Sequence, residues 1–155
     1  MNTSVASHTA TASNTTTVSR TAREWIEGVL VASPVARHLG LRTVRAEVDR
    51  VDLALDFRDD LTTVPGVLHG GVLATLVDTA AAAASASGLD EADPAAGGAT
   101  THLNVTFVTA ATGRHLTATA VVTYRTRSTT HSTVTVRDVD GTLVVTATAT
   151  SRIFR

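Results

Sequence analysis

The chain has 155 residues, of which 43% are apolar, and a formal net charge of −1. This length predicts one domain with one hydrophobic core, while near-neutral charge and 3% aromatic residues argue against a nucleic-acid interface. All 13 basic residues are arginines and there is no cysteine, which excludes disulfides, thiolate sites and Schiff-base chemistry.

The first 19 residues form a Ser/Thr-rich segment with too little apolar content to fold. We expect a disordered tail over residues 1–19 and a single domain over residues 20–155. The tail lacks the basic start and apolar centre of a secretory signal, and the best apolar run, residues 72–86, is too short to span a membrane. A cytoplasmic protein without a membrane partner is therefore expected.

Two helices and two strands are predicted next. Helical spacing of Trp25, Ile26, Val29 and Leu30 indicates an amphipathic helix over residues 21–31. A short helix over residues 34–39 begins after a Ser-Pro pair and ends at a glycine. Strands are predicted over residues 41–48 and 51–57, joined by a tight turn. Alternation in the second strand predicts one buried and one solvated face.

The second half of the chain predicts one helix followed by four strands. Residues 58–68 indicate a loop, and the alanine-rich run over residues 72–87 favours a helix that stops at Gly88. After a loop over residues 89–98, strands rich in Thr and Val are predicted over residues 99–108, 116–125, 130–138 and 143–153. The order predicts an α+β fold, in which one helix covers one face of an antiparallel sheet.

Asp78 is the only acidic residue between Asp60 and Asp90. On a helical wheel it lies away from the apolar stripe formed by Val72, Leu73, Leu76, Val77 and Ala80. Its neighbours at helical spacing are almost all small, which allows a second chain or a flat ligand to approach closely. The alternative is that Asp78 is the solvated face of an amphipathic helix.

His69, Gly70 and Gly71 stand at the predicted start of this helix. Unsatisfied N–H groups and the helix dipole favour negative charge there, which is the requirement for polarising a carbonyl and holding an oxyanion. A carboxylate two turns along, facing a second copy of the helix, is then able to attack that carbonyl or to activate water.

The stretch PGVLHGGVLATLVDTA resembles the phenylacetate-degradation-type (PaaI-like) hotdog thioesterases, in which His-Gly-Gly precedes an Asp on the central helix. THLNVTFVTAATGRHLTATAVV and VRDVDGTLVVTATATSRIF resemble sheet strands of that family, and the similarity covers residues 34–154. The resemblance implies a hotdog fold with five to six strands around one helix. It also implies a homodimer, or a dimer of dimers, with active sites at the interface.

The same resemblance assigns roles to the motif residues. It implies that Asp78 acts as nucleophile or general base, while the Gly70 N–H of the partner polarises the thioester carbonyl. His69 either supports the turn as a helix cap or touches the carbonyl, and Gly71 joins the substrate-binding candidates. No cofactor is implied, because coenzyme A is part of the substrate.

Six further residues are candidates for substrate contacts. Thr100 falls where relatives place a water-orienting hydroxyl, although an ordinary strand threonine is the alternative; Thr101 beside it is a second candidate. Thr63 departs from the family, since some relatives carry an amide residue there. Arg125, Arg127 and Ser128 lie in a predicted turn where they either meet the phosphates of coenzyme A or are simply solvated.

Other functions fit the sequence less well. The six histidines are scattered without the spacing of a zinc site, and neither a Gly-x-Ser-x-Gly elbow nor a phosphate loop is present. Hotdog hydratases need a paired His and Glu, and the predicted helix has no Glu. A non-catalytic acyl-CoA-binding protein is the remaining alternative. We predict hydrolysis of a small aryl or short-to-medium-chain acyl-CoA, or of an acyl-carrier-protein thioester.

Overall fold

The computed structural model describes residues 17–92 and 95–155. Residues 1–16, most of the predicted tail, lie outside the described residues. The last three residues assigned to the tail are packed on the domain. Thr17 forms a β-bridge with Glu47, Val18 is buried, and the Ser19 hydroxyl donates to the Leu89 carbonyl at 2.7 Å. Residues 17–19 are therefore part of the folded domain.

The domain opens with two helical segments. Helix α1 (Arg20–Arg23) continues as a π-helix over Glu24–Val31, and helix α2 spans Pro34–Leu39. Both have the caps that hydroxyl side chains provide: Ser19 Oγ accepts from Ala22 N–H at 3.0 Å, and Ser33 Oγ accepts from Ala36 N–H at 3.3 Å. Gly40 ends α2 at φ +76°, a left-handed conformation that favours glycine.

An antiparallel six-stranded sheet and one long helix make up the rest. Helix α3 spans Gly70–Ala86. The sheet strands are β1 (Arg42–Glu47), β2 (Arg50–Asp56), β5 (Gly97–Phe107), β6 (His115–Arg125), β7 (Thr129–Asp138) and β8 (Leu143–Phe154). Their order is β1-β2-β6-β7-β8-β5, so β5 lies at one end of the sheet. The predicted α+β architecture is confirmed.

Two local predictions were wrong. The predicted loop over residues 58–68 contains a 3-10 turn (Asp59–Leu61) and a small hairpin of β3 (Thr62–Val64) and β4 (Val67–Leu68), strands too short to show a periodic pattern. Strand β2 is buried on both faces instead of one. On its outer face Asp52 is 9% exposed, and Arg50 Nη2 lies 3.5 Å from its Oδ2.

Small side chains let the sheet pack closely on α3. Leu73, Leu76, Val77 and Ala80 of the predicted stripe are buried, whereas Val72 is only half-buried. Further buried alanines widen the buried surface of the helix beyond that stripe: Ala81, Ala83, Ala84 and Ala86. The helix contacts strands β2, β5, β6, β7 and β8, and therefore lies at the centre of a single core.

The C-terminal end of α3 is held by Arg125, the last residue of β6. Its guanidinium donates to the Ser85 carbonyl at 2.8 Å and to the Ala84 carbonyl at 3.0 Å, and it pairs with Asp49 at 2.7 Å. The Ser87 hydroxyl accepts from the Asp49 N–H at 2.8 Å. These contacts join the β1–β2 turn, the helix end and β6, and they satisfy carbonyls that a helix C-terminus leaves unpaired.

Candidate active site

The first turn of α3 is capped by His69. Its Nδ1 accepts from the Gly71 N–H at 2.8 Å, and its carbonyl accepts from Val72 and Leu73 at 3.0 and 3.3 Å. A Cβ at Gly71 would lie 2.9 Å from His69 Nδ1, so only glycine fits this cap without displacing the ring. The Gly70 N–H, in contrast, has no acceptor among the described residues. It is therefore a donor at the positive end of the helix dipole.

Asp78 lies further along the same helix and is half-buried. Its Oδ1 is buried and has no hydrogen-bond partner among the described residues. Burying an unpaired carboxylate oxygen is unfavourable, so the position of this oxygen requires an explanation. This burial argues against the solvated-face alternative.

An apolar cavity of about 360 Å³ opens beside Asp78. Thr100 of β5 lines the same cavity, so the structure brings together two residues that the sequence singled out separately. Most of the wall is hydrocarbon. The π-helix, α3, strands β5 and β8, and the loop that precedes β5 all contribute to it. Its larger apolar side chains are those of Trp25, Leu30, Leu89 and Ile153.

Two other predicted substrate contacts do not line this cavity. Thr63 is exposed on the small β3–β4 hairpin. Thr101 is exposed at an irregularity in the β5–β8 register, and its hydroxyl donates to the Thr150 carbonyl at 3.2 Å. Within one protomer, neither threonine therefore shares this cavity with Asp78.

The predicted phosphate contacts divide into two groups. Arg125 is engaged with Asp49 and the end of α3, and its side chain is only 22% exposed, so it has a structural role that the sequence did not predict. Arg127 and Ser128 lie in the exposed β6–β7 turn. They border a shallow depression that two further guanidinium-bearing residues line, Arg152 and Arg155.

Several residues of the cavity wall were not predicted as site residues, because no local pattern marks them. Trp25 was assigned only to an amphipathic face, and Ser151 was one hydroxyl in a strand full of them. The fold brings both to the cavity that Asp78 lines, from positions more than fifty residues away from it in the chain. The only sequence signal for Trp25 is that it is the one tryptophan in the chain.

The described ranges, 17–92 and 95–155, contain no group of three or more His, Asp or Glu side chains arranged to hold a metal ion. No helix in this part of the chain combines the length and the apolar character needed to cross a membrane.

The sequence pattern of the thioesterase superfamily matches residues 65–145, which include the α3 motif and most of the sheet. The chain belongs to this superfamily. It is similar to a thioesterase family protein from Silicibacter pomeroyi at 28% identity, covering 86% of this chain and 98% of that one with a TM-score of 0.78. No curated protein matches the chain.

Two further solved structures are similar. AziG from S. sahachiroi is 29% identical, with 79% of this chain and 98% of that one covered and a TM-score of 0.72. PaaI from the E. coli phenylacetic acid degradation operon shares the fold, at 19% identity and a TM-score of 0.77 over 90% of this chain and 97% of that one. The predicted PaaI-like hotdog fold is confirmed.

Proposed function

We propose that this protein is an acyl-CoA thioesterase in which Asp78 of one subunit and the Gly70 N–H of a partner act on the same thioester carbonyl. The observation that carries the proposal is the buried, unpaired Asp78 Oδ1 beside an apolar cavity. The superfamily supplies the reaction class, and the arrangement of these two groups supplies the mechanism.

Asp78 has two routes to hydrolysis. As a general base, it takes a proton from water while the water oxygen attacks the carbonyl carbon; as a nucleophile, it attacks that carbon itself and water cleaves the resulting anhydride. In both routes the carbonyl oxygen becomes an oxyanion, the C–S bond then breaks, and the thiolate takes up a proton. Thr100, which lines the same cavity, is suited to orienting the water.

A single protomer does not bring its own oxyanion donor to Asp78. Asp78 is eight residues after Gly70 on α3 (78 − 70), which corresponds to about 12 Å along a helix axis. A donor must lie roughly 3 Å from the oxyanion that it stabilises. The Gly70 that serves Asp78 must therefore come from another copy of the chain.

Strand β5 offers the surface for this pairing. It is the last strand in the sheet order, it spans 11 residues, and Phe107 near its end is 52% exposed. Such a long edge strand is a template for pairing with another chain. Antiparallel pairing of two β5 strands about a two-fold axis places the Thr100 end of one beside the Phe107 end of the other.

This pairing of β5 strands brings the two proposed catalytic groups together. Thr100 lines the cavity that contains Asp78, whereas the Phe107 ring lies against Gly70, where an added Cβ would be 3.4 Å from the ring. Juxtaposing the two ends therefore brings the Gly70 of one subunit towards the Asp78 of the other. The proposed dimer contains two equivalent sites, each built from both chains.

The substrate is proposed to be a coenzyme A thioester. Arg127 and Ser128, next to Arg152 and Arg155, are the remaining candidates for contacts to its phosphates, since guanidinium groups bind phosphate oxygens well. A carrier-protein thioester shares the same reacting group. KM values of the wild type and of Arg127→Ala, measured on free acyl-CoA and on a carrier-protein thioester, distinguish the two substrates. Loss of a phosphate contact raises KM for free acyl-CoA.

The test is hydrolysis of a panel of aryl- and alkyl-CoA thioesters by wild type and Asp78→Asn, with the released thiol trapped. We expect the variant to lose roughly a thousandfold in kcat, the scale of a catalytic acid or base. Asp140→Asn, at an exposed turn, is the matched control and should keep wild-type activity. Binding of acyl-CoA without turnover of any thioester would replace this proposal with the acyl-CoA-binding alternative.

A second pair of variants tests the oxyanion donor. Gly70 is the first residue of α3, a position where proline is tolerated. His69 before it has the extended conformation (φ −66°, ψ 135°) that a residue preceding proline prefers. Gly70→Pro removes the N–H, whereas Gly70→Ala keeps it. We expect kcat to fall about a hundredfold or more in the proline variant only. Equal activity of the two variants would contradict the assignment.

A further inference from the structure

An exposed aromatic ring lies in the arginine-lined depression at the end of β8. This depression has a volume of about 390 Å³, and Phe154 lines it together with Arg127, Arg152 and Arg155. Phe154 is 45% exposed, although aromatic rings usually contribute their large apolar area to a core or an interface. The proposed contacts between arginines and phosphates give this ring no function.

Part of the Phe154 ring rests on the neighbouring strand, and the rest is accessible. Gly97 is the partner of Phe154 in the β5–β8 register, and a Cβ added at Gly97 would lie 3.5 Å from Phe154 Cδ2. The ring therefore leans on a residue that has no side chain. Since Phe154 is 45% exposed and lines the depression, its remaining surface can receive a planar group by stacking.

The charges around the ring favour an anionic ligand. Three of the residues that line the depression are arginines, and none of its lining residues is acidic. Asp90 borders the adjoining depression with Arg127 and Arg155, and it offsets part of their charge. Arg152, in contrast, has no ion-pair partner among the described residues. Guanidinium groups beside an aromatic surface match a nucleotide, which presents phosphate oxygens and a planar base.

The depression adjoins the cavity that contains Asp78. Arg152 and Ile153 line both spaces, so the end of β8 is their common border. Gly97 also lies at this border, because it lines the cavity and supports the Phe154 ring. A coenzyme A thioester has its parts in the same order, with the reacting carbonyl first, the pantetheine arm next, and the phosphates and adenine last. An arm that leaves the cavity past Arg152 therefore brings the nucleotide to the depression.

We propose that the depression binds the nucleotide part of coenzyme A, with the adenine stacked on Phe154 and phosphate oxygens bound by Arg152 and its neighbouring arginines. This inference rests on the proposed function, because it takes Asp78 as the position of the thioester. Phe154 is then a specificity-determining residue. It stabilises a bound acyl-CoA but not a carrier-protein thioester, whose phosphopantetheine arm has no adenine. The protein is therefore selective for free acyl-CoA.

The experiment compares two thioesters of one acyl group, the acyl-CoA and the acyl-4′-phosphopantetheine, which lacks the adenosine 3′,5′-bisphosphate unit. The acyl group is the one that the thioester panel shows to be hydrolysed best. For wild type we expect kcat/KM to be roughly tenfold or more higher for the acyl-CoA. In Phe154→Leu this ratio should fall about tenfold, the scale of one stacked base, and chiefly through KM, because the base is bound equally before and during the reaction.

Matched variants separate stacking from a structural role. Tyr124 is 62% exposed but does not line the depression, so Tyr124→Leu should leave the substrate ratio unchanged. Phe154→Trp keeps an aromatic surface and should retain most of the ratio, whereas leucine keeps apolar contact with Gly97 but provides no ring. Calorimetric binding of adenosine 3′,5′-bisphosphate needs no turnover, and its Kd should rise roughly tenfold in Phe154→Leu.

Three results would overturn the proposal. One is an unchanged ratio in Phe154→Leu, and another is an equal loss on both thioesters, which would assign the ring to the folding of the strand end. The third is hydrolysis by wild type without preference for the acyl-CoA, which would leave the thioesterase function standing. If the wild type hydrolyses nothing but binds adenosine 3′,5′-bisphosphate more tightly than Phe154→Leu does, the hydrolysis proposal fails and the nucleotide site is supported.

Discussion

Replacing Arg125 with alanine should destabilise the protein without affecting substrate recognition. The guanidinium donates to the Ala84 and Ser85 carbonyls at the end of α3 and pairs with Asp49, and its side chain is 22% exposed. The variant leaves two helix carbonyls without their donor and Asp49 without its counter-charge. The β1–β2 turn also loses one of its connections to the helix.

The magnitude follows from these contacts. A hydrogen bond from a charged donor contributes about 1.5–3 kcal/mol, and a cation at a helix C-terminus adds about 0.3–2 kcal/mol. Since water replaces part of the loss at a partly exposed site, we expect a net decrease of about 2–4 kcal/mol in the free energy of unfolding. At about 2–4 °C per kcal/mol for a chain of this size, Tm should fall by roughly 5–15 °C.

The assay is thermal unfolding combined with acyl-CoA kinetics, with Arg127→Ala as the comparison. Arg127 lies in an exposed turn, so its removal should lower the free energy of unfolding less than the removal of Arg125 does, and should raise KM if it meets the phosphates. Arg125→Lys should recover only part of the loss, because one ammonium does not reproduce the guanidinium fork. An Arg125→Ala protein with unchanged Tm and a raised KM would refute the structural role.

Three further predictions concern the helix cap, acid stability and the edge strand. Gly71→Ala displaces the His69 ring from the first turn of α3, so the free energy of unfolding should fall by about 1 kcal/mol in urea titrations, and an unchanged value would exclude the cap. The hydrogen bond from His115 is the main cause of the lowered pKa of Asp56. Because its pKa is lower in the folded state, the Asp56 carboxylate stabilises the fold above its unfolded pKa, and this contribution is lost as pH falls through the folded pKa. Asp56→Asn should therefore flatten the acid limb of a plot of Tm against pH, and a limb identical to that of wild type would contradict the linkage. Phe107→Arg places charge at the end of the proposed β5 pairing, so sedimentation should show monomers, whereas an intact dimer would place the interface elsewhere.

Local sequence signals were sufficient for most of the secondary structure. Ser33 and Gly40 bound α2 as their side chains predict, and the alternating Thr and Val residues of the last four strands place each strand within two residues of its observed ends. These signals succeed because caps and alternation act over a few residues. Alternation misled in β2, since the burial of Asp52 depends on neighbouring strands and on Arg50, which no local pattern contains.

The candidate site was predictable only in part. Asp78 was found because a carboxylate among alanines is conspicuous in the sequence, and Gly70 was found through its motif. Ser151 and Trp25 were not predicted as site residues, because their position in the cavity beside Asp78 depends on strand order and on the packing of the π-helix. Arg125 was assigned to a solvated or phosphate-binding turn, and only the fold shows its guanidinium turned back to the end of α3.

Complementation between two inactive variants tests whether each active site combines Asp78 of one subunit with Gly70 of the other. Asp78→Asn and Gly70→Pro should each be inactive alone. In a mixed dimer of the two, one site receives both changes and the other receives neither. Random pairing from equal amounts should therefore restore roughly a quarter of wild-type activity, because half of the dimers are mixed and each has one intact site. Activity that stays at the level of the separate variants, with mixed dimers shown to be present, would contradict the shared site.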